Sequence, residues 1–194
     1  SGIPETTPSS APAATPAATP TTAPTATPAP APSATPEPTP TPGGVSETTL
    51  ETLQKILTGT NGLLTDQTKL PMSFEDAVSA DISQGMLGLT ASEFGQYVTE
   101  AYTSTAAFGS IAHEVALIRC KDAAAAVEVK KLVASGFNSL KWICVFPRQS
   151  FVVESGSYVL LGAVTNEAAA ALQSSFSSAL GGSGTPNVFY TALE

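Results

Sequence analysis

Hydrophobic and polar positions follow strand and helix periods in turn from about residue 45 to the end of the chain. The clearest strand pattern covers residues 112–120, where apolar side chains fall on both faces, as expected at the centre of a sheet. Residues 150–154 and 157–164 bracket Ser155 and Gly156 at hairpin spacing. These patterns predict a central strand followed later in the chain by a tight hairpin.

Two weaker strand patterns flank this region. Residues 96–105 combine aromatic and β-branched side chains with polar ones, which suits a half-buried pleated surface. The tail carries a short apolar run at residues 188–190. We expect the run to form either an added edge strand or a clasp.

Several helix starts are marked by capping residues. Thr48 and Glu51 have the spacing of a capping box and predict a helix over residues 48–58 that ends at Gly59. Thr90 and Glu93 repeat that signature. Residues 73–76 are also interpreted as the start of a short helix, with Phe74 facing inwards.

The longest predicted helix begins at an Asp122 cap and ends at Pro147. Its apolar stripe runs through Ala126, Val129, Val133, Phe137, Leu140 and Cys144, with Lys141 on the solvent side. Gly136 lies inside this helix and is a candidate kink. A last helix is predicted from Asn166, with Gly181 just beyond its end.

These elements predict an α+β fold. We expect one globular domain over residues 45–194, in which a long central helix and a C-terminal helix pack on a small sheet. The sheet should be mostly antiparallel and contain three to four strands.

Residues 1–44 have a different composition, with prolines repeating every fourth residue from Pro4 to Pro40 among Ala and Thr. Prolines at this spacing exclude helix and sheet, so the segment is predicted to be a disordered, extended Pro/Thr/Ala stalk or linker. An SH3-type proline ligand is the alternative, but this arm has no Arg or Lys to orient one.

Charge narrows the classes of partner. A formal net charge of −8 argues against nucleic acid and against docking on anionic lipid. The sequence has no run of 18 apolar residues. Membrane association is therefore expected only through an N-terminal anchor that this chain does not contain.

The order of elements resembles one family. His113 to Ile118, Lys121 and Asp122, Phe146 and Pro147, and the strand from Gly156 to Leu161 carry the similarity over roughly residues 70–181. The chain resembles an uncharacterised family of envelope lipoproteins from Gram-positive anaerobes, known only as a domain of unknown function. The resemblance implies an extracytoplasmic, surface-anchored location, and it brings no known activity. The lipid-bearing Cys expected before such a stalk is absent from this chain.

Most catalytic and cofactor motifs are missing. His113 is the sole histidine, and no Gly-x-Ser-x-Gly elbow accompanies it. It is interpreted as a residue of the strand's wet edge or of the core. Short-spaced Cys pairs, acidic clusters and phosphate loops are also absent from the sequence. We therefore expect no metal, no cofactor and no nucleic-acid site.

Glu114 is the one candidate site residue. It shares a strand face with Ala116 and Ile118, so its carboxylate should be partly desolvated, with a raised pKa. It could act as an acid or anchor a ligand. The plainer interpretation is a structural salt bridge with a lysine or arginine, or a helix cap.

Cys120 and Cys144 lie at opposite ends of the long predicted helix. A helix of that length spans about 30 Å, whereas a disulfide needs Cα atoms within about 7 Å. We expect two buried free thiols.

Together these features predict a non-catalytic extracytoplasmic binding or structural module on a proline-rich stalk. A deep pocket holding Glu114 beside a second titratable group would argue against that hypothesis. One alternative is a hydrolase of cell-wall glycan or peptide with Glu114 as its acid. Another is an interaction domain that recruits a partner strand at residues 188–191, and it fails if that tail pairs within its own sheet.

Overall fold

The computed structural model describes Gly2 and residues 47–193. The predicted stalk therefore lies, apart from Gly2, outside the described residues. Within them the chain forms five α-helices and six β-strands, so the predicted α+β class is confirmed. The helices are α1 Thr49–Leu63, α2 Ser83–Leu87, α3 Ala91–Tyr97, α4 Ala123–Gly136 and α5 Asn166–Leu180. The strands are β1 Ser73–Ala77, β2 Val98–Ala106, β3 Glu114–Cys120, β4 Gln149–Ser155, β5 Tyr158–Val164 and β6 Asn187–Thr191.

The six strands form one sheet in the order β1-β2-β3-β5-β4-β6, and every neighbouring pair is antiparallel. The sheet is thus wider than the three to four strands expected. β3 lies between β2 and β5, which confirms its predicted central place. The hairpin is also confirmed, because β4 and β5 pair up to Ser155 and Tyr158 around Gly156.

β3 and β5 place apolar side chains on both faces of the sheet, and helices cover each face. One face packs against α4 through Ala126, Val129 and Val133. The other face packs against α1 and α5, with Phe151 and Phe176 among its largest buried side chains. The core therefore has two halves separated by the sheet, and their apolar burial is the main stabilising contribution to the fold.

The two edge strands were the hardest to predict. Residues 73–76 were expected to begin a helix, and that prediction is wrong, because β1 pairs with β2 from Ser73 opposite Ala106 to Ala77 opposite Tyr102. Four of the five β1 residues are exposed, so no hydrophobic alternation marks the strand. β6 pairs with β4 and forms the opposite edge of the sheet. The apolar run of the tail is therefore part of an edge strand and not a clasp.

The helix predicted to reach Pro147 ends at Gly136 instead. The backbone of Gly136 packs directly on that of Gly88, and a Cβ at either position would overlap the other segment. The chain leaves the helix at Phe137 in an extended conformation. Residues 137–148 therefore form a loop, and Leu140 and Cys144 are exposed rather than part of an apolar stripe.

The predicted helix caps are confirmed. Thr48 and Glu51 form the predicted capping box, as do Thr90 and Glu93, and the Asp122 carboxylate accepts from the Ala125 amide. The first helix nevertheless runs beyond Gly59 to Leu63. A Cβ at Gly59 would lie 3.3 Å from Ser175 Oγ on α5, so a small residue there favours close packing of the two helices.

Candidate functional site

The candidate site lies at the beginning of the central strand. Glu114 is the first residue of β3 and pairs with Thr105 on β2 and Ala163 on β5. Its side chain shares the face of Ala116 and Ile118, as predicted, and is only 1% exposed. The fold therefore carries a carboxylate from a central strand into the protein interior.

Lys141 meets this carboxylate from the loop between α4 and β4. Its ammonium forms an ion pair with Oε2 of Glu114 and donates to the carbonyl oxygen of Gly85 at 3.0 Å. The same nitrogen lies 4.7 Å from the ring centroid of Phe137 and 5.3 Å from that of Trp142. The salt bridge expected as the plainer interpretation of Glu114 is thus formed, with a lysine that was predicted to face solvent.

The second carboxylate oxygen of Glu114 has no such partner. Oε1 is buried and accepts no hydrogen bond from the described residues. Desolvation raises the pKa of Glu114 to about 7, and the charge and hydrogen bond of Lys141 offset part of that shift. The carboxyl group is therefore poised to change protonation near neutral pH.

An open cavity of about 350 Å³ adjoins this pair. Its volume is in the range of small-molecule sites, which combine apolar walls with a few polar groups. The residues that line it come from α2, β2, β3 and the two loops at this end of the sheet: Gly85, Met86, Thr105, Ala106, Phe108, Gly109, Ile111, His113, Glu114, Lys141 and Trp142. Glu114 therefore lies beside His113 and Lys141, but in a cavity that is open rather than deep, so the arrangement named above as evidence against a non-catalytic module is met only in part.

His113 precedes β3 and is buried, with 3% of its surface exposed. Burial lowers the pKa of His113 to about 4, so the ring is neutral at physiological pH. Its Nε2 atom has no hydrogen-bond partner among the described residues. The residue lines both the Glu114 cavity and a small one of about 40 Å³ that includes Val164 and Ala168. Of the two predicted places for His113, the structure selects the core.

Another cavity, of about 330 Å³, lies between α1 and α5. It is lined by Lys55, Gly59 and Leu63 and by three serines and one alanine of α5. Its unpartnered buried polar atom is the hydroxyl of Ser175, and the Lys55 side chain is 53% exposed. An unpaired hydroxyl is less costly to bury than a carboxylate oxygen, so the Glu114 cavity has the stronger requirement for a partner.

The two cysteines are free, as predicted, but only one of them is buried. Burial, with a smaller contribution from Asp122, raises the pKa of the Cys120 thiol to about 12. Cys144 is exposed on the loop after α4, so the expectation of a second buried thiol is wrong. The reason is again the early end of α4 at Gly136.

Among the described residues, no group of three or more His, Cys, Asp or Glu side chains is arranged to hold a metal ion. The helices in that part of the chain are all too short or too polar to cross a bilayer.

Most of the residues around Glu114 were not identified from the sequence. Lys141 was predicted to lie on the solvent side of the long helix, and Trp142 was predicted to lie in the same helix. That helix ends before both residues. Phe108 and Ile111 are apolar and lie among glycine and serine between two strands. These two large apolar side chains in a connecting loop were the signal from which the site could have been predicted. An exposed apolar cluster marks an interaction site more often than an isolated apolar residue does.

Comparison of the chain with models of protein families, with characterised proteins and with solved structures finds no match.

Proposed function

We propose that residues 45–194 form a ligand-binding module held outside the cell on the proline-rich stalk. The observation that carries the binding role is the cavity that adjoins Glu114, a carboxylate that is 1% exposed and has one oxygen without a partner in the described part of the chain. Burying a charged group that lacks partners is costly. A purely structural salt bridge would not explain why the second oxygen is buried without a donor in a residue that lines a cavity.

The extracytoplasmic location rests on other features. The stalk composition, the net charge of −8 and the resemblance to envelope lipoproteins of Gram-positive anaerobes all favour display at a cell surface. We propose membership of that family and anchoring through a segment N-terminal to this chain. Protease treatment of intact host cells tests this proposal: the module should be degraded while a cytoplasmic marker stays intact, and protection of both would refute it.

One observation favours the alternative of a wall hydrolase, and another argues against it. A carboxyl group whose pKa is raised to about 7 suits a general acid at neutral pH. Most glycosidases, however, need two carboxyl groups flanking the scissile bond. Among the residues that line the cavity, Glu114 is the sole carboxylate. Binding is therefore the better-supported role.

The edge-strand alternative loses its original site. The segment proposed to recruit a partner strand belongs to β6, which pairs with β4 from Asn187 opposite Val152 to Thr191 opposite Gln149. One side of its backbone is therefore used within the sheet.

Binding can be tested by filling the cavity. The Ala106→Phe variant should occupy the space beside Glu114, since Ala106 lines the cavity at the end of β2. A chemically mixed set of small molecules would be screened by NMR against the full chain and this variant. We expect binders of the natural chain to lose affinity in the variant while its melting temperature stays similar.

The Lys55→Ala variant is the matched control, because Lys55 lines the other cavity. Binders that respond to Lys55→Ala and not to Ala106→Phe would move the site to the groove between α1 and α5. A screen without any binder would refute the binding role.

A further inference from the structure

The hydrogen-bonding state of Lys141 and Glu114 indicates which kind of group the cavity would bind. The ammonium of Lys141 is directed to Glu114 Oε2, to the Gly85 carbonyl and to the faces of two aromatic rings. An ammonium has three N–H donors; two are used by Oε2 and the Gly85 carbonyl oxygen, and the nitrogen also lies against the two rings. Oε1 of Glu114 accepts no hydrogen bond from any residue that the structure describes. Glu114 Oε1 is therefore an acceptor at this site that lacks a donor.

The charges at the site favour a neutral ligand. When Glu114 is ionised, it and Lys141 form a pair with no net charge, and the other titratable residue among the described ones that line the cavity, His113, is neutral. A charged ligand would be attracted by one member of this pair and repelled by the other, so little net attraction would offset the repulsion and the cost of removing its charge from water. A neutral N–H or O–H group meets neither penalty, and its hydrogen bond to a carboxylate is of the stronger, charge-assisted kind.

The walls favour an apolar body on the same ligand. Phe108 and Ile111 lie on the loop between β2 and β3, and 58% and 40% of their surfaces are exposed. Met86 and Trp142 contribute from the other side of the cavity. Covering these side chains removes apolar surface from water, and the aromatic rings favour a flat or branched partner.

We propose that this cavity binds a small uncharged amphiphile, whose aromatic or branched apolar body packs against Phe108, Ile111 and Trp142 while its N–H or O–H group donates to Glu114 Oε1. This ligand class rests on the proposed binding function and names what that site takes. The raised pKa of Glu114 is consistent with it, because a donor at Oε1 supplies the partner that the ionised carboxylate lacks.

Four one-ring probes separate the possibilities. Benzamide carries an N–H donor, acetophenone has a methyl group in its place, benzoate is an anion and benzylamine a cation. The chain contains a single tryptophan, so the indole N–H of Trp142 gives one NMR cross-peak that reports on the cavity. Titrations of the full chain would be made at about pH 8, where Glu114 is largely ionised.

We expect benzamide to shift the Trp142 peak saturably and to bind about tenfold more tightly than acetophenone, as expected for one hydrogen bond to a charged group. Benzoate and benzylamine should be weaker still. In the Glu114→Gln variant we expect the amide oxygen to accept from Lys141, which leaves the amide N–H₂ in the place of Oε1. The preference for benzamide over acetophenone should then disappear.

Two further variants serve as a control and as a separate test of the apolar wall. Glu154→Gln removes a different Glu–Lys pair, formed with Lys130 at 2.5 Å and outside this cavity, and should leave all four affinities unchanged. Phe108→Ala should weaken benzamide and acetophenone equally. Because Phe108 is an exposed loop residue, this variant remains informative if Glu114→Gln does not fold.

Failure of the ligand class and failure of the binding function give different results. Equal binding of acetophenone and benzamide to the natural chain, or tighter binding of benzoate or benzylamine at the Trp142 peak, would overturn the ligand class and leave a binding cavity. If no probe shifts that peak up to its solubility limit, both proposals are overturned.

Discussion

Two adjacent residues, His113 and Glu114, give the protein opposing dependences on pH. Glu114 has its pKa raised from 4.5 to about 7, so the stability it contributes is present below about pH 4.5 and is lost as the pH rises towards 7. His113 has its pKa lowered from 6.5 to about 4, so its contribution is present above pH 6.5 and is lost as the pH falls towards 4. Between about pH 4.5 and 6.5 the two effects partly cancel.

Single substitutions should separate these effects. In Glu114→Gln, the free energy of unfolding should rise with pH between about 4 and 6.5, because only the histidine contribution remains. In His113→Gln it should fall between about 4.5 and 7. The stability difference between the natural chain and Glu114→Gln should change by an amount on the order of 3 kcal/mol across that range. Urea unfolding curves at several pH values measure this, and parallel curves would contradict the pKa shifts.

The two thiols should differ sharply in reactivity. Cys144 is exposed, whereas Cys120 is buried with its pKa raised to about 12, and only a thiolate reacts readily with an alkylating agent. Iodoacetamide should therefore modify the native protein once, at Cys144, and modify Cys120 only after unfolding. Mass spectrometry of native and denatured samples measures the difference. In the Cys144→Ser control, native labelling should be lost, and rapid labelling of Cys120 would contradict its buried position.

At the scale of elements, the contact between α2 and α4 depends on two glycines. Gly136 and Gly88 touch through their backbones, and Gly88 also has a φ of +76°, which disfavours other residues. This contact ends α4 and releases the loop that carries Lys141 to Glu114. One pair of residues with no chemistry of its own thus positions the candidate site.

The Gly136→Ala variant tests this contact. An added methyl group should overlap the Gly88 carbonyl oxygen and destabilise the protein by about 1–3 kcal/mol. It should also weaken the binding of any ligand of the Glu114 cavity, since the loop after α4 would shift. Chemical denaturation measures the first effect and NMR titration the second.

Gly95 supplies the matched control. It is an exposed residue of α3, and a Cβ there would have nothing within 4 Å. Gly95→Ala should therefore leave the protein as stable or raise its stability by up to about 1 kcal/mol, through helix propensity alone. Equal destabilisation by both substitutions would mean that the close approach at Gly136 is not what limits the residue type there.

At the scale of the whole molecule, both halves of the core lie within the described part of the chain, from Leu53 to Phe176. A chain of residues 45–194 alone should therefore unfold at the same temperature as the full chain. Removal of α1 as well should lower the melting temperature strongly, because Leu53, Ile56 and Leu57 fill one half of the core. Calorimetry of the three chains measures this, and a large loss on removal of residues 1–44 alone would contradict it.

The sequence by itself determined the elements whose signals are local. The capped starts of α1, α3 and α4, the central strand β3 and the hairpin of β4 and β5 could all be predicted. Each depends on residues within a few positions of one another, through a cap, an alternation or a turn. The buried position of Glu114 followed in the same way from its place on an apolar strand face.

Only the tertiary structure decided the remaining features. The edge strand β1 forms because its backbone pairs with that of β2. The end of α4 depends on Gly88, which lies far away in the sequence. For the same reason Lys141 could not be assigned to Glu114, since their contact requires both the early helix end and the folded sheet. Periodicity reports which side of an element is buried, whereas a site of two charges and a cavity depends on which elements meet.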